Sequence, residues 1–153
     1  MDAVQQFRAL RTQCGLIDSD ELDAVFDALP AVSCERILGQ WKGGDFNTGH
    51  RSSASLTAIR WYGKTFNSLL DAKPLICYDD NGELYSNDTL MRGEASLWMV
   101  EFRGKVSATM VYDGVPVFDH FRQVDERTLM GIMNGKKGVI DKGKYYYFFL
   151  ERV

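Results

Sequence analysis

The sequence predicts a mainly β domain: a closed or nearly closed antiparallel β-barrel preceded by two or three short α-helices. Three observations carry this expectation. Apolar residues recur at helical spacing only up to about residue 38. Beyond residue 39, short apolar runs alternate with tight turn signals, as in an antiparallel sheet. The last run, Tyr145 to Val153, is aromatic on both faces, and such a strand left at an open edge would invite aggregation. Pairing it with the first strand, near Trp41, removes that edge.

The chain has 153 residues, enough for one domain with a real core. We read residues 1–38 as a helical segment packed on a barrel formed by residues 39–153. The net charge of −3, with both signs interspersed, speaks against nucleic-acid binding. Lys136, Lys137, Lys142 and Lys144 form one local basic cluster, read as a solvated loop. Cys14, Cys34 and Cys77 are widely separated and odd in number, so neither a disulfide framework nor a structural zinc site is expected. Residues 1–6 lack the features of a signal peptide, and no apolar run nears the ~18 residues of a membrane span. A cytoplasmic protein without integral membrane insertion is the resulting expectation, with no metal and no cofactor.

Val4, Phe7 and Leu10 mark a first helix that Gly15 can stop. Asp18 is a candidate N-cap for a second, with Glu21 placed to complete a capping box. Its apolar stripe is Leu22, Val25, Phe26 and Leu29, and Pro30 ends it. Ser33 can cap a further short turn through Ile37 and Leu38.

Gly39-Gln40-Trp41-Lys42-Gly43 then opens the barrel. Glycines at such a strand permit bending or close approach, and Trp41 can plug the closed end with one large ring. This run is followed by Thr48-Gly49-His50, by Trp61-Tyr62-Gly63-Lys64 with Phe66, and by Pro74-Leu75. In that order the series resembles the GXWXG family of bacterial proteins. The later run, from Tyr112-Asp113-Gly114 through Pro116, Asp119-His120-Phe121-Arg122 and Val124-Asp125 to Gly131-Ile132-Met133, resembles the domain of unknown function that accompanies it. The resemblance covers the chain from about Ser33 onward. It implies a calycin-like barrel, related in shape to lipocalins, fatty-acid-binding proteins and nitrobindins. It also implies binding of a hydrophobic or amphiphilic small molecule more readily than catalysis. It transfers no assigned active site. Nitrobindin-like haem proteins carry further alternating glycines at this point, where the present chain has Gly44-Asp45-Phe46.

Residues 55–62 read as a strand running into a Gly63-Lys64 turn, and residues 73–78 as the next strand. Asp79-Asp80-Asn81-Gly82 is a hairpin turn leading to a return strand from Glu83. From residue 94, two-residue turns at Arg103-Gly104, Asp113-Gly114 and Asp125-Glu126 fix a register by counting. The count turns Leu97, Met99, Val106, Met110, Tyr112, Val117, Asp119, Phe121, Met130 and Ile132 inward. His120 and Arg122 then point outward. A one-residue bulge would invert any strand beyond it.

Asp119, alone on an apolar face, is the residue most expected to carry chemistry. It can hold a ligand's polar end, act as a base, or satisfy an internal network. Met99, Met110 and Met130 suit a pliable pocket wall, and Trp41, Trp61 and Tyr112 suit its aromatic part. Lys64, Arg60 and Arg122 are candidate contacts for a phosphate or carboxylate at the mouth, and His50, beside the barrel's first turn, is a turn or hydrogen-bonding residue. The expected partner is a fatty acid or phospholipid, held non-enzymatically by a carrier or sensor. The alternatives are a small enzyme using Asp119 as acid or base, a haem protein using His120, and an interaction module using the outer face and the N-terminal helices; a homodimer is a further partner to test.

Overall fold

The computed structural model describes residues 1–136 and 138–153. Two helices, α1 (Ala3–Thr12) and α2 (Ser19–Ala28), lead through a 3-10 turn at Glu35–Ile37 into strand β1 (Gly39–Asp45). Helix α3 (Ser52–Ala58) then precedes β2 (Trp61–Ser68), β3 (Asp71–Tyr78), β4 (Leu84–Ser86) and β5 (Ala95–Phe102). The chain ends with β6 (Lys105–Tyr112), β7 (Val117–Asp125), β8 (Thr128–Gly135) and β9 (Tyr146–Arg152). All pairings are antiparallel. Eight strands close a barrel in the order β1-β2-β3-β5-β6-β7-β8-β9, and β9 returns to β1 with Gly43 opposite Leu150. β4 hangs on the edge of β3.

The two N-terminal helices form where the sequence predicts them, although α2 is capped without the Glu21 side chain that a capping box would use. Asp2 and Gln5 make a reciprocal capping box for α1, whose Phe7 and Leu10 are buried. The Asp18 carboxylate caps α2 through the N–H of Asp20, while the Glu21 N–H bonds the Asp18 carbonyl. Leu22, Val25, Phe26 and Leu29 are all buried. These side chains meet Met130, Ile132, Tyr147 and Phe149 on the outer face of the sheet, giving a second core outside the barrel. The two aromatic faces of β9 are thus both covered: Tyr146 and Phe148 face the interior, Tyr147 and Phe149 face the helices.

Trp41 closes the end of the barrel beneath the 3-10 turn. Its indole N–H donates to the Ile37 carbonyl at 2.8 Å, and the Arg152 guanidinium lies over its ring. Gly39 adopts φ +128°, a conformation open to glycine.

Two local expectations are corrected. Residues 55–58 of the strand expected over 55–62 belong to helix α3, and the turn expected at Gly63-Lys64 lies inside β2. Polar bonds to the backbone hold α3 in place. The Asp141 carboxylate accepts the Arg51 N–H, and the Ser55 and Thr57 hydroxyls donate to carbonyls four residues back. The register count also fails at two junctions: the β6–β7 ladder is displaced by two residues, which leaves the faces unchanged, and the β7–β8 ladder by one, which does not. Arg122 pairs with Met130, one residue later than a two-residue turn gives, because the β7–β8 ladder shifts between Gln123 and Asp125. Met130 and Ile132 therefore face the helices, and Leu129, Gly131 and Met133 take the interior side.

The seam between β3 and β5 is short. It holds the Ala72–Ala95 pairing and a bond from the Leu97 N–H to the Leu69 carbonyl. Trp98 and Met99 on β5 and Val106 on β6 are exposed, so the inward placement expected for Met99 and Val106 does not hold.

Candidate functional site

A cavity of about 430 Å³ opens at the barrel end opposite Trp41. Its walls come from Trp61 and Lys64 on β2, Leu75 on β3, Tyr112 on β6, Val117 and Asp119 on β7, Met133 on β8, and Tyr146 and Phe148 on β9. Its mouth is ringed by Leu56 of α3, Met91, the Val115–Pro116 connection and the loop at Val139.

The sequence brings Trp61 and Lys64 to one wall through an irregular strand. Their odd spacing would put them on opposite faces, but the β2–β3 ladder shifts between Trp61 and Gly63 and again before Thr65. Glycine is required there. A Cβ on Gly63 would fall against the Trp41 carbonyl, and one on Gly43 would fall inside the Trp61 ring. The Trp61 N–H donates to the Pro74 carbonyl at 3.1 Å.

Lys64 and Asp119 form the polar centre. Lys64 Nζ lies 2.9 Å from Asp119 Oδ2, with the side chains 3% and 2% exposed. The same ammonium donates to the Pro74 carbonyl at 3.3 Å and lies between the rings of Trp61, Tyr112 and Phe148, each within 6 Å. Tyr112 donates to Asp119 Oδ2 at 3.4 Å. Asp119 Oδ1 is buried and has no hydrogen-bond partner among the described residues. Burial raises the Asp119 carboxyl above its ordinary range, and the Lys64 charge opposes that rise. Burial and the neighbouring carboxylate hold the Tyr112 phenol protonated, with its pKa well above the usual value.

A second network fixes the mouth. Tyr146 and Ser53 both donate to Asp45 Oδ2, at 2.8 and 2.7 Å. His50 Nε2 lies 2.9 Å from the Val139 carbonyl, and its Nδ1 accepts the Ser52 N–H. His50 is therefore the neutral Nε2–H tautomer, and burial lowers its pKa. It ties the β8–β9 loop to the start of α3.

Of the residues expected at the site, Trp61, Lys64, Tyr112 and Asp119 meet at the cavity. Lys64 is a buried interior cation rather than a contact at the mouth. Trp41 and Met110 are buried in the barrel core but do not line the cavity. Met99 is 48% exposed where the β3–β5 seam opens, and Met130 lies under the helices. His50 serves the mouth framework. Arg122 is fully buried over the Phe26 ring, not a surface cation. His120 stacks on Phe102 outside the sheet, and neither histidine lines the cavity. Lys136 reaches the mouth, Lys142 and Lys144 are exposed, and Lys137 lies outside the described residues. Among the described residues no three His, Cys, Asp or Glu side chains group as a metal site. Met133, Tyr146 and Phe148 were missed as wall residues. Gly131 was the available signal, since it leaves room for the Phe148 ring and so marks the inner face of β8.

These features define a closed, calycin-like β-barrel protein with one buried ion pair in its cavity. The chain belongs to the GXWXG family: the GXWXG protein model matches residues 24–82, and the model for a domain of unknown function, DUF4334, matches residues 93–152. A crystal structure of a protein from Thermomonospora curvata is 35% identical, with a TM-score of 0.89 over 100% of this chain and 99% of that one. No functionally curated protein matches the sequence.

Proposed function

We propose that this protein binds a hydrophobic or amphiphilic small molecule within the barrel, as a carrier or sensor. The observation that carries the reading is the cavity itself. Its volume of about 430 Å³ falls in the range of small-molecule sites, and its walls are aromatic and aliphatic apart from one convergent polar cluster. The fatty acids and phospholipids expected from the sequence belong to this broad class. We place the activity in the cytoplasm because three cysteines are present as free thiols.

Native mass spectrometry and displacement of a fluorescent amphiphile test the reading. Saturable uptake at one molecule per chain is expected. Val117→Phe, which fills the cavity, should abolish uptake while the protein stays folded. A clean unliganded mass, with no saturable uptake of any amphiphile offered, would overturn it.

Acid–base catalysis in the same cavity is the second reading, favoured by the raised carboxyl of Asp119 beside Lys64 and Tyr112. Asp119→Asn should then abolish turnover of a bound substrate without abolishing binding.

A further inference from the structure

We infer that the polar end of the ligand is an uncharged hydroxyl, so that the cavity takes an apolar alcohol in preference to the matching carboxylate or ammonium. The inference rests on the cavity being a ligand site, as proposed above, and it narrows the class of ligand.

The argument begins with charge. Lys64 and Asp119 neutralise each other inside the barrel, at 2.9 Å and almost without exposure. A carboxylate or an ammonium entering beside them would bring an uncompensated charge into a site lined by Trp61, Tyr112 and Phe148. That transfer is costly, because a desolvated charge is tolerated only with a partner. A carboxylate would in addition stand against the Asp119 carboxylate, and an ammonium against Lys64.

Hydrogen-bonding capacity gives the same answer. Asp119 Oδ2 already receives Lys64 and Tyr112, while Oδ1 is buried without a partner. A buried carboxylate oxygen without a donor is a defect that a bound group can repair. Lys64 has three N–H groups, and its acceptors among the described residues are Asp119 Oδ2 and the Pro74 carbonyl. The pair therefore holds one unused acceptor and one unused donor. A hydroxyl supplies one donor and one acceptor with no charge. A carboxylate has no proton to give to Oδ1, and an ammonium has no lone pair for Lys64. A water molecule can make the same two bonds and carries one further donor, and an alcohol that replaces it keeps both bonds to the pair while its chain buries apolar surface.

Titration of the intact protein at neutral pH with decanol, decanoate and decylammonium separates the possibilities. Decanol should bind at least about tenfold tighter than either ion. In Asp119→Asn the Lys64 charge is uncompensated and the order should change to favour decanoate. In Lys64→Met the remaining carboxylate should favour decylammonium. A wild-type protein that binds decanoate or decylammonium as well as decanol overturns the inference and leaves the proposed cavity function standing. A ranking unchanged in both variants also overturns it, because the pair then does not read the head group. If the wild type binds none of the three, the proposed function falls together with this inference. The wild-type ranking alone decides the matter should either variant fail to fold.

Discussion

Lys64 Nζ reaches Asp119 Oδ2 across the barrel at 2.9 Å, joining β2 to β7 through the interior. Removing one partner leaves a buried charge unpaired, which costs about 3–5 kcal/mol, whereas replacing both by apolar groups is often neutral or stabilising. Lys64→Met should therefore lower stability by about that amount at neutral pH, and Lys64→Met/Asp119→Leu should recover most of it. The single variant should also respond to pH. Burial alone then drives the Asp119 carboxyl further above its unfolded value of 3.8. Its neutral form is favoured in the fold, so stability is retained at low pH and lost as pH rises through the folded value. Urea unfolding followed upward in pH from the unfolded value of 3.8 measures this. A double variant no more stable than the single one would show that the pair contributes through something other than mutual neutralisation.

His120 governs a second pH dependence, outside the barrel. Its ring lies 3.9 Å from Phe102 and nearly parallel, and its Nδ1 is 2.9 Å from the Thr109 hydroxyl. Nε2 has no partner among the described residues. Burial, with the nearby Arg122 charge, lowers its pKa from 6.5 to about 4. The unfolded chain takes up the proton near 6.5 and the folded chain only near 4, so this stability is complete above 6.5 and is lost as pH falls through that window. The loss amounts to roughly 3 kcal/mol. His120→Phe keeps the stacking and cannot titrate, so its denaturation midpoint should be flatter between these pH values. An equal slope in variant and wild type would locate the effect elsewhere.

The inward placement of Asp119 was legible because the error in counting was even. The β6–β7 ladder pairs Met110 with Asp119 rather than Val117, a shift of two residues that leaves each face intact. The shift after Gln123 is odd, and it turned Met130 outward and Met133 inward. Lys64 was illegible as an interior residue because two irregularities in β2 break the alternation that places side chains. α3 was illegible because part of its support comes from Asp141, far along the chain. Barrel closure was legible from β9, since aromatic residues on both faces need both an interior and a helical cover. Local periodicity carries faces and elements; bulges and distant polar contacts do not show in it.

Trp41 should matter for stability and little for ligand uptake. Its ring fills the closed end, and its N–H satisfies the buried Ile37 carbonyl. Trp41→Phe leaves that carbonyl unpaired and the space underfilled, at a cost of about 1–3 kcal/mol. Trp41→Ala should cost about 3–5 kcal/mol. Amphiphile affinity in the folded Trp41→Phe protein should match wild type, because Trp41 does not line the cavity. Urea midpoints and displacement titrations on one preparation check both halves. A large loss of affinity with normal stability would contradict the division of the barrel into a filled end and a hollow end.

Gly43 and Gly44 provide the sharpest contrast, because each leaves room for an aromatic ring on a different face of β1. A Cβ on Gly43 would enter the Trp61 ring at the cavity wall, and one on Gly44 would enter the Phe149 ring beneath α1. Overpacking of this kind costs about 1–3 kcal/mol, so both alanine variants should unfold more easily. Their effects on binding should differ. Gly43→Ala pushes Trp61 off the Pro74 carbonyl, which Lys64 also uses, and so disturbs the wall and the ammonium together. Gly44→Ala moves a ring that belongs to the helical core. Amphiphile affinity should therefore fall in Gly43→Ala and hold in Gly44→Ala. Adding Trp61→Phe to Gly43→Ala removes the larger ring and should restore part of the lost stability, a coupling that a double-mutant cycle reads directly. Equal losses of affinity in the two alanine variants would mean that β1 transmits strain through its backbone, and not through the ring that each glycine accommodates.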